Sequence, residues 1–195
     1  MKDILIISGK QKAGKTSLTN AVIKSLKEND YEVRVFKFAG PIYEIQNAAR
    51  PALEKFGLWP EGSEKDGDFL QVVGTEYGRR KRGSDVWVKI AREEIDLWLC
   101  RAIGSVPKRL ALIDDCRFEN EFDAFDDAFK VRLTCPRDIR KARPGYWRED
   151  ENHASEVGLD DYQNAGKFDF SIDTNTNSLE DARSKVLKEW GRANL

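Results

Sequence analysis

Residues 9–16 combine two glycines, a lysine and a threonine at a spacing that suits phosphate binding. The segment is Gly-Lys-Gln-Lys-Ala-Gly-Lys-Thr and satisfies the pattern G-x-x-x-x-G-K-[ST]. In that pattern the glycines let backbone N–H groups point at the phosphates, the lysine reaches the β and γ oxygens, and the hydroxyl coordinates Mg²⁺. We therefore predict that this phosphate loop (residues 9–16) binds ATP·Mg²⁺. The predicted contacts come from Gly9, Lys12, Ala13, Gly14, Lys15, Thr16 and Ser17.

A pair of carboxylates is placed to complete the metal site. A phosphate loop needs an acidic partner for its magnesium ion, at the tip of a neighbouring strand. The apolar run 110–113 predicts such a strand, and Asp114 and Asp115 follow it directly. We predict that Thr16 and Asp114 hold the metal. Asp115 stays open as the alternative, because a strand end is predicted only to within a residue or two.

Five basic residues follow the predicted fourth strand, and they are Arg137, Arg140, Lys141, Arg143 and Arg148. Phosphoryl transfer needs cations around the migrating group, and arginine binds phosphate oxygens through paired hydrogen bonds. The Pro144-Gly145 pair interrupts the run, which favours a loop that closes and excludes water. We predict a lid over about residues 137–156, with Arg137 and Arg140 at the nucleotide and Arg143 and Arg148 in catalysis. The alternative is a solvated helix face, which charge runs usually form.

The elements that must position these groups alternate between strand and helix. Residues 4–7 form an apolar run typical of a strand buried on both faces. A helical pattern follows the loop, and residues 31–38 alternate like a second strand, which completes a βαβ unit. Further strands are predicted at 109–115, 129–134 and 168–172, with a long helix after Ser84-Asp85 and a last helix after Ser178. We predict a single α/β domain, residues 1–195, in which helices flank about five parallel strands in three layers.

Composition and charge exclude several classes of protein. The 195 residues carry 33 Lys+Arg and 34 Asp+Glu, for a net charge of -1. A dedicated duplex-binding protein usually has a basic surplus, so any basic site here must be local. Three cysteines without a CxxC pair fit free thiols in a reducing compartment. No run approaches the ~20 apolar residues of a membrane span, and no apolar leader precedes the first strand. We therefore predict a cytoplasmic protein without a membrane partner.

Several strings along nearly the whole chain resemble one family. Besides the phosphate loop they are Phe38-Ala39-Gly40-Pro41, residues 70–79 (LQVVGTEYGR), Asp85-Val86-Trp87-Val88, residues 114–121 (DDCRFENE), His153-Ala154-Ser155-Glu156 and a terminal strand near Phe168-Asp169. The loop alone indicates only a superfamily, whereas the GTE-x-GR and DD-x-RF-x-NE strings are far more particular. Together they resemble the bacteriophage deoxynucleoside monophosphate kinases, which have the P-loop nucleoside monophosphate kinase fold.

The resemblance implies transfer of the ATP γ-phosphate to the 5′-phosphate of a deoxynucleoside monophosphate, in the host cytoplasm for a phage-encoded enzyme. It implies an acceptor region over about residues 40–90, in which Arg79 grips the acceptor phosphate. The other residues implied on the acceptor side are Phe38, Trp87, Asp115 and Arg117. From helical spacing alone, Trp87 is instead predicted to pack mainly in the core.

The predicted phosphate acceptor does not require a strong general base. A phosphate monoester is largely ionised at neutral pH, so positioning and charge neutralisation suffice. His153, the only histidine, is therefore not required for catalysis. The predicted catalytic residues are Lys15, Arg79, Asp114, Arg143 and Arg148.

Two other functions stay open at this level. A related phage kinase could phosphorylate a hydroxymethyl group on a modified pyrimidine, in a nucleotide or within DNA. That acceptor would need a base, for which Asp114 or Asp115 could serve. A nucleotide-dependent switch or ATPase would use water as its only acceptor. DNA is a partner only in the first of these alternatives, and the assembly stays open between a monomer and a homodimer.

Overall fold

The computed structural model describes residues 2–100, 108–145, 147, 149, 150 and 152–194. The strands in these residues are β1 (Ile4–Gly9), β2 (Tyr31–Phe36), β3 (Lys108–Ile113), β4 (Phe129–Thr134) and β5 (Phe170–Asp173). The helices are α1 (Lys15–Lys27), α2 (Gly40–Lys55), α3 (Gly67–Gln71), α4 (Val86–Cys100), α5 (Glu119–Asp123), α6 (Arg137–Ala142), α7 (Ala154–Val157), α8 (Asp160–Asn164) and α9 (Leu179–Arg192). A π-helix over Val72–Arg80 follows α3.

The five strands form one parallel sheet in the order β2-β3-β1-β4-β5. β1 lies at its centre, where Ile6 pairs with Ile113 of β3 on one side and with Lys130 of β4 on the other. Because the strands are parallel, their carboxyl ends meet at one edge, and ligands of such sheets bind beside that edge. The phosphate loop, Asp114 and the predicted lid all follow strands at this edge. The predicted α/β fold with five parallel strands is confirmed.

Helices cover both faces of the sheet, as alternate residues of β1 show. Ile4 and Ile6 pack in one core with residues of α4, whereas Leu5 and Ile7 pack in a second core with residues of α1 and α9. All four side chains are at most 2% exposed. Burial on both faces explains why β1 is an unbroken apolar run instead of an alternating one.

β2 ends at Phe36, two residues earlier than the alternating pattern predicts. The backbone N–H groups of Phe38 and Ala39 donate instead to the carboxylate of Asp115, which turns the chain into α2. Hydrogen bonds to a side chain at the end of the neighbouring strand thus replace the backbone hydrogen bonds of the sheet. The sequence of residues 31–38 alone cannot reveal this contact. The other predicted strands lie within two residues of their observed bounds.

α4 begins at Val86, directly after the predicted start at Ser84-Asp85. Trp87 in its first turn is only 5% exposed, and its burial is predicted from the helical spacing. Cys100, Cys116 and Cys135 are free thiols, in agreement with the cysteine spacing. In the part of the chain that the structure describes, no helix has both the length and the apolar character that crossing a bilayer requires.

Candidate active site

The phosphate loop connects β1 to α1, so the positive end of a 13-residue helix faces the predicted phosphate position. Gly14 has a φ of +99°, in the left-handed region that favours glycine. A Cβ added at Gly9 would lie 2.9 Å from the carbonyl oxygen of Leu133, so the loop also needs glycine at its first position. Thr16 and Ser17 lie exposed in the first turn of α1, where a ligand can reach their hydroxyls.

Lys15 directs its ammonium group back onto the loop. Nζ donates hydrogen bonds to two loop carbonyl oxygens, at 2.6 and 2.8 Å. Burial, and after it the positive charge of Arg117, lower the pKa of Lys15 to about 7. The carboxylates of Glu156 and Asp114 act in the opposite direction. A bound polyphosphate would favour the charged ammonium, because its oxygens replace solvent around the cation.

The two carboxylates that follow β3 have different surroundings. The Oδ1 atom of Asp114 is buried and makes no hydrogen bond among the described residues, although the Lys37 ammonium lies 3.4 Å from it. Asp115 instead accepts the N–H groups of Phe38 and Ala39, at 3.1 and 3.0 Å. Burial raises the pKa of Asp115, and these two hydrogen bonds oppose the shift. Asp115 is thus committed to the backbone, whereas Asp114 has an oxygen available for a ligand.

The loop and Asp114 together fit a magnesium ion. Mg²⁺ takes oxygen ligands and is commonly held by one or two carboxylates, water and substrate phosphates. A buried carboxylate oxygen without a hydrogen bond is costly, and a metal cation would offset that cost. Thr16 supplies the hydroxyl that the sequence pattern predicts. No three His, Cys, Asp or Glu side chains within the described ranges form a metal cluster, which is compatible with an ion held partly by a nucleotide.

Arg143 joins the lid to the phosphate loop and to the segment after β5. Its guanidinium donates to the carbonyl oxygen of Lys12 at 2.6 Å and to that of Thr174 at 3.1 Å. The Lys12 ammonium in turn donates to the carbonyl oxygens of Arg143 and Gly145, at 2.6 and 2.7 Å. A Cβ on Gly14 would lie 3.5 Å from Nη1 of Arg143. The guanidinium therefore lies directly against the loop, while a lid movement of this segment stays a prediction.

The other lid arginines have separate surroundings. Arg140 is 5% exposed, and its Nη1 donates to the carbonyl oxygen of Gln11 at 3.2 Å, so it braces the lid against the loop. Arg137 is half-exposed, and its Nη2 lies 3.8 Å from the Glu149 carboxylate. Arg148 lies outside the described residues. Binding of the nucleotide by Arg137 and Arg140, and catalysis by Arg148, stay predictions.

A cavity of about 320 Å³ lies beside the loop. It is lined by Gly14, Ser17, Leu18, Arg143, Thr174, Asn177, Ser178, Leu179 and Ala182. The mixture of apolar walls with a few hydrogen-bonding groups suits a flat heterocycle. Residues 174–179 are not among the site residues predicted from the sequence. The available signal was their position directly after β5, because parallel strand ends share one edge of the sheet.

A second cavity, of about 880 Å³, is larger but lies elsewhere. Its lining comes from α4, α5 and the residues Asp85 and Ala124 that flank them, and it includes none of the predicted site residues that the structure describes. The smaller cavity, which adjoins the loop, is therefore the candidate site for the donor nucleotide.

Arg79, in the π-helix, is bound by a buried carboxylate. Its Nη2 donates to Oε1 of Glu121 at 2.8 Å, and its guanidinium stacks on the Phe118 ring at 4.5 Å from the centroid. The other oxygen of Glu121 accepts the backbone N–H groups of Arg117 and Phe118, at 2.8 and 3.2 Å. The structure thus brings together the 70–79 and 114–121 strings through a single carboxylate.

Phe38 and Trp87 lie in the core, with 3% and 5% of their surface exposed. The indole N–H of Trp87 donates to the carbonyl oxygen of Gly74 at 2.9 Å. Trp87 therefore supports the π-helix that carries Arg79. This position agrees with the prediction from helical spacing, while direct contact of either ring with a nucleotide stays a prediction.

Glu156 links α7 to the phosphate loop, although it is not among the site residues predicted from the sequence. Its Oε2 accepts the backbone N–H of Gln11 and its Oε1 accepts Nη1 of Arg117, both at 2.7 Å. Its neighbour His153 caps α7, because its Nδ1 accepts the N–H of Ser155 at 3.2 Å. The histidine thus has a role in the turn that presents Glu156. The available signal was the HASE string, which belongs to the resemblance.

No known protein family and no curated protein matches the sequence of this chain. Among solved structures, the fold is similar to that of TT1252 from Thermus thermophilus, with a TM-score of 0.56, 18% identity, and coverage of 95% of this chain and 96% of that chain. It is also similar to shikimate kinase from Acinetobacter baumannii in complex with shikimate, with a TM-score of 0.52, 14% identity, and coverage of 98% and 94%. At these identities the similarity shows the fold alone. The chain has the P-loop kinase fold.

Proposed function

We propose that this chain is a kinase that transfers the γ-phosphate of ATP to the 5′-phosphate of a deoxynucleoside monophosphate. The observation that carries the proposal is the cluster formed by Arg79, Glu121 and the backbone of Arg117. In this cluster Glu121 joins the segment of Arg79 to the segment of Arg117, which follows Asp114 at the end of β3. The resemblance of the same two strings to the phage kinases supports the proposal from the sequence.

The donor side is supported by three adjoining features. The loop offers backbone N–H groups and the start of α1 to the phosphates, and Lys15 provides a cation. Arg143 lies against the loop, next to the cavity of about 320 Å³ that suits the base. A bound Mg²⁺, held by Thr16 and Asp114, would offset the charge of the β and γ oxygens.

The acceptor side is supported by the way in which two arginines are held. A carboxylate oxygen binds Nη2 of Arg79, and another binds Nη1 of Arg117. Among the described residues, Nε of each guanidinium makes no hydrogen bond, so each keeps donors for a further anion. A phosphate acceptor matches such donors through paired N–H···O bonds, whereas a neutral hydroxyl would not need them.

The carboxylates after β3 favour the same acceptor. A hydroxymethyl acceptor would need a general base, but Asp115 accepts two backbone N–H groups and Asp114 suits the metal. A phosphate acceptor needs no proton removed, since its oxygen is already anionic. In the proposed step, that oxygen forms a bond to the γ-phosphorus while the bond to the bridging oxygen breaks. The products are ADP and the deoxynucleoside diphosphate, and the lysine and arginines neutralise the charge that moves.

A substrate panel tests the proposal. The purified protein is incubated with ATP·Mg²⁺ and each deoxynucleoside or ribonucleoside monophosphate, with hydroxymethylpyrimidine DNA, or with no acceptor. We expect a diphosphate product from at least one deoxynucleotide. Phosphorylation of DNA alone, or hydrolysis of ATP at the same rate without an acceptor, would contradict the proposal.

A matched pair of variants tests the acceptor site. Arg79→Ala removes the guanidinium bound by Glu121, whereas Arg80→Ala removes the exposed neighbour that pairs with Glu76. We expect Arg79→Ala to reduce transfer about 100-fold while ATP binding, measured by calorimetry, is retained. Arg80→Ala should behave as the wild type. Equal activity of the two variants would rule out the acceptor role of Arg79.

A further inference from the structure

We propose that Glu156 is a positioning residue that binds both Arg117 and the phosphate loop, and so holds Arg117 in the orientation for phosphoryl transfer. The inference rests on the proposed kinase function. It goes beyond that function by assigning the buried carboxylate that binds Arg117 a task in the rate of transfer.

The two oxygens of Glu156 have different partners. Oε1 accepts Nη1 of Arg117 at 2.7 Å, and Oε2 accepts the N–H of Gln11, inside the phosphate loop, at the same distance. The Glu156 side chain is 5% exposed, so solvent screens these charge-assisted hydrogen bonds little. One carboxylate therefore fixes the guanidinium relative to the loop backbone.

Arg117 is anchored along one edge only. Its Nη1 donates to Glu156 and also to the carbonyl oxygen of Ser155, at 3.2 Å. No hydrogen bond from its Nε or Nη2 is found within the described ranges, and the side chain keeps 31% of its surface exposed. Its charge also acts on Lys15, which places the guanidinium near the lysine of the loop. The edge without partners is therefore available to a phosphate oxygen.

The turn that carries Glu156 packs against the backbone of Arg117 as well. A Cβ added at Gly158 would lie 2.8 Å from the Arg117 carbonyl oxygen, which shows how closely the two segments approach. His153 caps the start of the same turn. The segment 154–158 thus contacts Arg117 at both its backbone and its side chain, so little freedom of the guanidinium is lost when a phosphate binds. Such pre-organisation acts on the rate of transfer.

The substitution Glu156→Gln separates the two contacts. The amide oxygen of glutamine can still accept the N–H of Gln11, but its NH₂ group would face a guanidinium that can only donate. We expect kcat to fall about 10-fold or more, while KM for ATP changes less than about 3-fold. Asp161→Asn is the matched control, because it removes one negative charge from an exposed position in the neighbouring α8. It should retain wild-type kcat.

A double-mutant cycle with Arg117→Ala shows whether Glu156 acts through Arg117. If it does, Glu156→Gln has almost no further effect on kcat in the Arg117→Ala background. Equal losses in both backgrounds, or an unchanged kcat for Glu156→Gln, would overturn the inference. Thermal unfolding of each variant separates a loss of fold from a loss of positioning.

Nitrogen NMR of the arginine guanidinium groups needs no acceptor. The Arg117 signals are assigned by their loss in Arg117→Lys. We expect rotation of the Arg117 guanidinium to be slow in the wild type and fast in Glu156→Gln. Fast rotation in the wild type would overturn the inference. Absence of transfer to every deoxynucleotide, with slow rotation, would contradict only the proposed acceptor.

Discussion

Gly78 and Trp87 are in such close contact that a Cβ on the glycine would lie 2.4 Å from Cζ2 of the indole ring. The same ring donates its N–H to the carbonyl oxygen of Gly74, so one tryptophan contacts two glycines of the π-helix. π-Helices are rare in proteins, and those that occur often lie at functional sites. Here the unusual geometry is held from the core, and it presents Arg79 to Glu121.

Replacing Gly78 by alanine should disturb this arrangement. Alanine is the better helix former, so without the tryptophan the change would stabilise the segment. We expect a loss of about 1–3 kcal/mol in the free energy of unfolding because of overpacking, together with weaker use of the acceptor. Denaturant unfolding and kcat/KM for the acceptor measure both effects. Gly67→Ala is the control, since no heavy atom lies within 4 Å of its added Cβ. Equal behaviour of the two variants would contradict the structure.

Asp114→Asn and Asp115→Asn should affect different properties. Asp114→Asn keeps one oxygen but removes the negative charge that a metal would bind, and we expect kcat to fall by at least about 100-fold at unchanged stability. Asp115→Asn leaves one of two backbone N–H groups without its acceptor, and should cost about 1–3 kcal/mol of stability. Thermal unfolding and magnesium titration of activity distinguish the two. The assignment is wrong if Asp114→Asn is the less stable variant and remains active.

Arg143→Met should weaken the closed arrangement of the lid. It removes the hydrogen bonds to the carbonyl oxygens of Lys12, in the phosphate loop, and of Thr174, in the lining of the cavity of about 320 Å³. We expect KM for ATP to rise about 10-fold, with a smaller change in KM for the acceptor. Arg192→Met, which removes an exposed guanidinium at the end of α9, provides the comparison. A similar KM for ATP in both variants would show that the contact is not used.

ATP binding should take up a proton at alkaline pH. The pKa of Lys15 is lowered to about 7, so the free amine predominates above that pH, and a polyphosphate favours the ammonium form. We expect uptake of about one proton at pH 8 and little at pH 6, and weaker binding as the pH rises. Calorimetry in buffers of different ionisation enthalpy measures the uptake. Lys15→Arg should abolish it, because arginine stays charged. Identical heats in all buffers at pH 8 would contradict the lowered pKa.

The lowered pKa of Lys15 also determines how its contribution to the free energy of unfolding changes with pH. Between pH 7 and 10.5 the unfolded chain binds more protons at Lys15 than the folded chain does. The contribution of this residue to the stability of the nucleotide-free fold therefore increases with pH in that window.

The sequence predicted what local patterns determine. Residues 9–16 specify the phosphate loop through spacing alone, and the unbroken apolar run of β1 indicates a central parallel strand. The helical spacing of Trp87 predicted its burial. In each case the determining interactions lie within a few residues or depend on the average environment of a face.

The remaining features depend on contacts between distant segments. Glu156 lies 145 residues from Gln11, and no spacing rule connects them. The difference between Asp114 and Asp115 depends on which carboxylate meets the chain after β2. The cavity beside the loop needs residues 174–179, which only the strand order brings there. These relationships are set by the fold and not by neighbours in sequence.

The lowered pKa of Lys15 also gives the loop a chemical reactivity of its own. At pH 7 about half of this side chain is free amine, whereas a lysine with an ordinary pKa has less than about 0.1%. An aldehyde or acylating reagent that is small enough to enter the loop should therefore modify Lys15 at neutral pH, and ATP should protect it. Selective labelling could then count competent nucleotide sites in a preparation before any acceptor is known.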